Sequence, residues 1–251
     1  MKGTCLVTGA AGGIGRAVVE RLVADGFSII AADLDHARAE AVISGVGGAH
    51  RAVALDVSDE AAVIACFAEA EAAGAAINHV VAAAGILLFA GNGDRPALTD
   101  ITLDEWEVTQ RVNATGTFLL LREYLRVASR REMRGGRFVG FSSVAAQLGG
   151  YRSSSAYIAS KGSVMALLKA AAREAAPLGI TVNGVAPGLI DAPMLHQSLP
   201  PEKYATVTGN IPLNRIGTSD DVAGAVSFLL GPDAGYMTGA MLDVNGGYRM
   251  Q

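Results

Sequence analysis

Apolar residues along this chain fall into two alternating patterns. Short runs rich in β-branched and small apolar residues lie at Thr4–Thr8, Ser28–Asp33, Arg51–Asp56, His79–Ala83, Arg137–Ser142, Thr181–Ala186 and Ala240–Val244, and they read as strands. Between them come longer, alanine-rich amphipathic stretches. These predict helices over Gly13–Asp25, Asp35–Val46, Asp59–Ala73, Leu103–Met133, Ser154–Ala176 and Ser219–Leu230. The alternation predicts an α/β fold with parallel strands joined by right-handed helical crossovers. The early strands are almost continuously apolar, as strands are when helices cover both faces of a sheet. Thr102-x-x-Glu105 and Thr218-x-x-Asp221 have the spacing of capping boxes and mark two helix starts.

Three segments escape both patterns: Gly85–Asp100, Val144–Ser153 and Pro187–Thr218. They follow the fourth, fifth and sixth strands, on the carboxyl side where open α/β sheets bind ligands. The last is long and carries Pro187, Pro193, Pro200, Pro201 and Pro212, which points to a lid or binding loop. No linker or repeat divides the chain, so residues 1–251 read as a single domain.

Composition narrows the function without naming it. Hydrophobic residues make up 51% of the chain and charged ones 18%, which excludes a disordered protein. A net charge of −4 argues against bulk nucleic-acid binding. Six arginines cluster from Arg122 to Arg137, either as a solvated helix end or as an anion-binding patch. Cys5 and Cys66 lack metal or redox spacing and read as buried thiols in a reducing compartment; no metal site is expected. The amino-terminal residues have neither signal- nor transit-peptide character, and the longest apolar stretch, Val80–Ala90, is too short to span a bilayer. A cytoplasmic location without membrane partners is the expectation.

Two motifs carry chemistry. Thr8-Gly9-Ala10-Ala11-Gly12-Gly13-Ile14-Gly15 follows a strand and opens a helix, so its backbone N–H groups and helix start suit a pyrophosphate. Asp33 ends the second strand, where a carboxylate accepts bonds from ribose hydroxyls and repels a 2′-phosphate; neither Gly12 nor Leu34 is basic. This favours NAD over NADP, with Arg16 and Arg38 the nearby cations that oppose it. Asp35 is positioned to cap the following helix. Asp56, beside Val57, either meets an adenine amino group or caps a helix together with Ser58.

The second motif is Tyr157 with Lys161 four residues on, a spacing that only one of the six tyrosines has. On a helix the two share a face. A neighbouring ammonium favours the phenolate, so the pair reads as an acid/base unit with a lowered tyrosine pKa.

With these motifs in place, the chain resembles the short-chain dehydrogenase/reductase family over its whole length. The matching residues are Thr8-Gly-x-x-x-Gly-x-Gly15, Asp56-Val57, Ala84-Gly85, Val112-Asn113, Ser142-Ser143, Tyr157-x-x-x-Lys161, Val182-Asn183-x-Val-x-Pro-Gly188, Arg215-Ile-Gly with Asp221-Val-Ala, and Asn245-Gly-Gly. The resemblance implies a Rossmann-type doubly wound parallel seven-stranded sheet with helices on both faces. It implies an oxidoreductase interconverting a secondary alcohol and a ketone by hydride transfer. Tyr157 is then the general acid/base, Lys161 its partner and a ribose anchor, Ser143 the hydroxyl orienting the substrate oxygen, and Asn113 the side chain holding a relay water. Gly9, Gly12, Gly13, Ile14, Gly15, Asp33, Leu34, Asp56, Val57, Ala84 and Gly85 would border the dinucleotide, with Pro187, Gly188 and Ile190 facing the nicotinamide. It further implies a homotetramer packed through the helices near Leu103–Met133 and Ser154–Ala176.

The chain departs from the family pattern in places. Ala82-Ala83-Ala84-Gly85 stands where Asn-Asn-Ala-Gly is usual, which puts the rigidity of that turn in question. Ala192 replaces a threonine that bonds the carboxamide. Asn245 replaces an aspartate and reads as structural. The Ser143–Tyr157 spacing is one residue longer than common, so Ser142 competes for the orienting role. Leu148, Tyr151 and Met194, with Leu87, Leu88, Phe89 and Leu195, suggest an apolar substrate pocket. Arg152 and His196 either meet a polar or anionic group or are solvated. The alternatives are a reductase of 3-oxoacyl groups on an acyl carrier, a non-catalytic NAD sensor on the same fold, and an epimerase or dehydratase, for which the chain lacks an added substrate domain.

Overall fold

A computed structural model describes residues 2–90 and 93–250. The chain runs β1 (Thr4–Thr8), α1 (Gly13–Ala24), β2 (Ser28–Asp33), α2 (His36–Ser44), β3 (Arg51–Ala54), α3 (Glu60–Ala72), β4 (Ile77–Ala82), α4 (Leu103–Gln110), α5 (Gly116–Arg130), β5 (Arg137–Phe141), α6 (Val144–Leu148), α7 (Ser155–Ala175), β6 (Thr181–Pro187), α8 (Pro193–His196), α9 (Ala205–Thr208), α10 (Ser219–Leu230) and β7 (Met241–Val244). The seven strands form one parallel sheet in the order β3-β2-β1-β4-β5-β6-β7.

Period-two alternation puts neighbouring side chains of each strand into different cores. Leu6, Ile30, Val80 and Phe138 pack against α3, α5 and α7 on one face. Cys5, Val7, Ile29, Val81 and Val139 pack against α1, α2 and α10 on the other. The sheet is therefore doubly wound, as the resemblance implied. Both cysteines are buried and unpaired, and burial raises the Cys66 thiol to about 11. Among the described residues no helix is long and apolar enough to cross a membrane.

Helix starts follow the sequence closely. Asp35 caps α2 and Asp59 caps α3, while both expected capping boxes form, Thr102 with Glu105 and Thr218 with Asp221. Helix α1 differs: Gly12 is its N-cap and supplies no side-chain bond. Asp56 is not a helix cap. It lies beyond the end of β3 and accepts the Ser58 N–H and hydroxyl at 2.8 and 2.7 Å.

Three expectations need correction, and a fourth feature, the arginine cluster, follows the helix-end reading. The helix expected over Leu103–Met133 is interrupted by a π-turn, Arg111–Thr115, between α4 and α5. It also stops at Arg130, because Glu132 takes a left-handed φ of 49° and the Met133 N–H closes onto the Ala128 carbonyl at 2.9 Å. No glycine marks that stop. The segments read as irregular contain short helices: α6, α8, α9 and 3₁₀ turns at Leu98–Asp100 and Pro201–Lys203. The arginine cluster is not an open anion patch, since Arg122 pairs with Glu60, Arg126 with Glu123, and Arg130 and Arg131 with Glu71, while Arg134 bonds the Pro177 carbonyl.

Candidate active site

Strand order reverses beside β1, whose neighbours β2 and β4 end level with it: Thr8 pairs with Ala32 and with Ala82. The crevice at such a switch point is where doubly wound sheets bind ligands. Gly9 turns there with φ +67°, and a Cβ on it would lie 2.9 Å from the Ala84 backbone. A Cβ on Gly15 would strike the Gly9 carbonyl, and one on Gly13 would lie 2.9 Å from Pro193 Cδ. Only glycine lets the turn, the start of α1 and the segment after β6 approach so closely. The uncapped start of α1 leaves first-turn N–H groups for an anion. These features fit a dinucleotide.

At the other end of the turn, Asp33 is half-buried, and its Oδ2 accepts the Ala11 N–H at 3.0 Å. Its second oxygen has no bond to a described residue. Arg16 is paired with Glu20 at 2.8 Å, whereas Arg38 donates to the Ala11 carbonyl at 3.2 Å and so sits beside the turn. Leu34 is exposed. Val57 packs against Gly116, where a Cβ would lie 2.7 Å from Val57 Cγ2. The turn without asparagines is held by other means: the Ala84 N–H bonds Thr8 Oγ1 at 3.3 Å, and Ile86 is bound by Asn113. Asn245 accepts the Gly247 N–H at 2.9 Å and donates to the Arg249 carbonyl, so its role is structural as read.

Strand β5 and helix α7 supply the chemical groups. Ser154 caps α7 by accepting the Tyr157 N–H at 3.3 Å. Tyr157 and Lys161 are both buried. The Lys161 ammonium donates to the Phe141 carbonyl at 2.9 Å and lies 5.7 Å from the Tyr157 ring centroid. The two adjacent serines part company. Ser142 Oγ donates to the Lys161 carbonyl at 2.9 Å and braces the helix. Ser143 caps α6, accepting the Ala145 N–H at 3.2 Å, and lines the same cavity as Tyr157, whose pKa its hydroxyl lowers.

Asn113 lies in the π-turn and is fully buried. Its Oδ1 accepts the Ile86 N–H at 2.8 Å, and its Nδ2 donates to the Ile86 carbonyl at 2.9 Å and to Ser160 Oγ at 3.0 Å. Ser160 passes its own proton to the Tyr157 carbonyl at 2.7 Å. Both amide hydrogens are thus spent, and one Oδ1 lone pair remains. A Cβ on Gly85 would lie 3.2 Å from both Asn113 Oδ1 and Lys161 Nζ, which places both groups against the same face of that glycine. Ser154 and Ser160 are contributors that the sequence reading missed. The spacing Ser154-x-x-Tyr157 is an N-cap signal that would have found the first; nothing local signals the second.

Electrostatics here differ from the expectation. Burial raises the Tyr157 pKa, with the Ser143 hydrogen bond acting the other way. Burial also pushes Lys161 down to about 8. The ammonium faces a backbone carbonyl, so the simple picture of a lysine that lowers its tyrosine does not hold for these side chains alone.

Ser143, Tyr157 and Lys161 line one cavity of about 160 Å³ together with Ile14, Gly85, Pro187, Gly188 and Ile190. Leu87, Phe89, Met194 and Leu195 complete its apolar wall, while Leu88 lies outside it. Leu148 and Tyr151 line a second cavity of about 500 Å³ that shares Ser143, Arg152 and Gly188 with the first. Ala192, in the place of the expected threonine, is buried over the glycine turn. His196 faces neither cavity: its Nε2 is 2.6 Å from Asp191 Oδ1, which also accepts the Tyr204 hydroxyl at 2.7 Å.

Comparison with known proteins agrees with this geometry. A family model described as enoyl-(acyl carrier protein) reductase matches residues 9–249. The chain is 35% identical over 250 residues to a human (3R)-3-hydroxyacyl-CoA dehydrogenase, covering 98% of this chain and 95% of that protein. It is also 35% identical over 246 residues to the 3-oxoacyl-acyl-carrier-protein reductase FabG of Vibrio harveyi, covering 98% and 96%. A solved structure from Brucella melitensis, described as a short-chain dehydrogenase/reductase, glucose/ribitol dehydrogenase, superposes with a TM-score of 0.90 at 30% identity. The match covers 100% of this chain and 98% of that one.

The buried lysine has a measurable consequence. Its pKa is about 8 when folded against 10.5 for a free lysine, so the unfolded chain binds more protons between those limits. The penalty of burying the charge is full below pH 8 and fades as pH rises toward 10.5. Denaturant unfolding of the protein and of Lys161→Met is expected to show the native chain gaining stability relative to the variant across that window; a difference independent of pH would contradict it.

Proposed function

The chain belongs to the short-chain dehydrogenase/reductase family, and on that premise we propose that it is an NAD-dependent oxidoreductase interconverting a secondary alcohol and a ketone. The observation that carries the reading is one cavity lined by Ser143, Tyr157 and Lys161, which the glycine turn also reaches through Ile14. When bound, the nicotinamide supplies the hydride acceptor or donor. Ser143 orients the substrate oxygen, and Tyr157 takes its proton or returns it. A phenol buried with a raised pKa holds its proton in the resting site, which suits an acid toward a ketone. In the oxidising direction Tyr157 must give its proton up first. Lys161, beside it and pushed down to about 8 by burial, carries the proton outward. Asn113 keeps a lone pair beside Lys161 for a relay water while clamping the backbone around it. Pro187, Gly188 and Ile190 would flank the nicotinamide. The apolar wall excludes water from the reacting carbon.

Relatives acting on 3-hydroxyacyl and 3-oxoacyl thioesters favour a second reading, reduction of a 3-oxoacyl group on a carrier. The free oxygen of Asp33 supports NAD in either case. A cytoplasmic setting is in keeping with two buried, unpaired thiols. Exposed Leu103, Trp106 and Phe118 on α4 and α5 support assembly into a homotetramer through these helices and α7.

Three outcomes follow. Tyr157→Phe is expected to keep NAD binding by fluorescence titration and to lose at least ~100-fold in turnover; near-normal turnover overturns the acid/base assignment. The protein is expected to prefer NAD to NADP by on the order of tenfold or more in kcat/KM, from like-charge repulsion at Asp33, with Asp33→Asn narrowing the ratio. A native preference for NADP would remove Asp33 as selector. Light scattering is expected to give four chain masses, and a single chain mass refutes the assembly.

A further inference from the structure

Three neighbouring cavities meet at one residue. The reactive cavity, the 500 Å³ cavity beside it and a third of about 390 Å³ share Arg152 and no other lining residue. Arg152 is half-buried. Among the described residues it forms no ion pair and no hydrogen bond; its recorded interaction is electrostatic, with the Tyr248 phenol. The first two cavities contain no carboxylate in their lining. The third contains Asp94, which forms no ion pair with Arg152. Arg95, facing the same third cavity, is spent on its own loop partners. It donates to the Gly150 carbonyl at 2.6 Å and to Ser155 Oγ at 3.4 Å, and so braces the segment that carries Arg152.

A guanidinium keeps its charge at any working pH and presents five donors in a planar fork. Half-burying one beside an apolar wall with nothing to satisfy it is unfavourable, and a planar anion relieves that cost by bidentate bonding. We propose that Arg152 is the specificity-determining residue of this site and that the substrate is a short hydroxy or oxo acid whose carboxylate it binds. The proposal rests on the alcohol–ketone reading above and adds the substrate class. The reacting oxygen sits between Ser143 and Tyr157, the carboxylate reaches Arg152, and the carbon chain lies along Leu87, Phe89 and Met194. On oxidation a bound NAD⁺ would supply the acceptor for the carbinol hydride, and the Tyr157 phenolate would take the hydroxyl proton. The carboxylate is unchanged.

The test compares 2-, 3- and 4-hydroxy acids of four to eight carbons with their methyl esters and with the coenzyme A thioesters of the 3-hydroxy acids. Each is assayed with NAD for the native protein, Arg152→Lys and Arg152→Leu. The expected result is a preference for one acid over its ester of about 100-fold in kcat/KM. That ratio should collapse toward one in Arg152→Leu, chiefly through the KM of the acid, and fall part of the way in Arg152→Lys. Esters turned over as well as acids by the native protein would overturn the proposal and leave the oxidoreductase reading standing. So would an acid preference that survives in Arg152→Leu. Arg152-dependent turnover confined to the thioesters would reassign the anion to a carrier phosphate. Absence of turnover of every compound, with NAD bound, would overturn both readings.

Discussion

The chemical end of the molecule depends on one buried ammonium. Lys161 is 5% exposed and cannot be satisfied by bulk water, so its charge must find a partner inside the protein. It finds the Phe141 carbonyl at the end of β5, while its own carbonyl accepts Ser142 Oγ from the next residue of the chain. These two bonds run in opposite directions between the same strand end and the same helix turn. They fix the height of α7 relative to the sheet, and Ser143 is thereby held to Tyr157. One carbonyl is a thin shell for a charge with three donors, and the fall of the lysine pKa to about 8 is the electrostatic consequence. The same weakness makes the group useful, because a lysine that titrates near neutrality can carry a proton.

The dinucleotide end obeys a steric constraint instead. Gly9 against Ala84, Gly15 against Gly9, and Gly13 against Pro193 are three approaches too close for a side chain. They bring the turn, the end of β4 and the start of the lid segment to one point. Asn113 links the two ends. From an under-wound turn between α4 and α5 it reaches the Ile86 backbone on one side and Ser160 on the other. A π-turn widens a helix locally and alters the direction of the side chain within it, which lets one amide serve both partners.

Several arginines outside the site are held by carboxylates. Arginines on α5 are neutralised by Glu60, Glu71 and Glu123, Arg215 is gripped by Asp221 at 2.7 and 2.9 Å, and Arg249 pairs with Asp243. Arg152, at the meeting of three cavities, has no ion pair or hydrogen bond among the described residues. Its isolation gains meaning from how thoroughly these other charges are paired.

The alternating apolar pattern was enough to place every strand and the starts of the long helices, because strand and helix periods differ and each cap is a local bond between residues three apart. The glycine turn, Asp33 and the Tyr157–Lys161 pair were legible for the same reason: their spacing is short and their geometry is set by one element. What stayed hidden depends on residues far apart in the chain. Ser142 and Ser143 are neighbours of the same type, and they are told apart by a helix nearly twenty residues on, which takes one hydroxyl as a brace and offers its tyrosine to the other. His196, read as either a polar-ligand contact or solvated, is instead held by Asp191, which also accepts the Tyr204 hydroxyl. The direction of the Tyr157 shift followed from burial, a property of the packed molecule, because desolvation counts every atom that excludes water and not only the nearest charge.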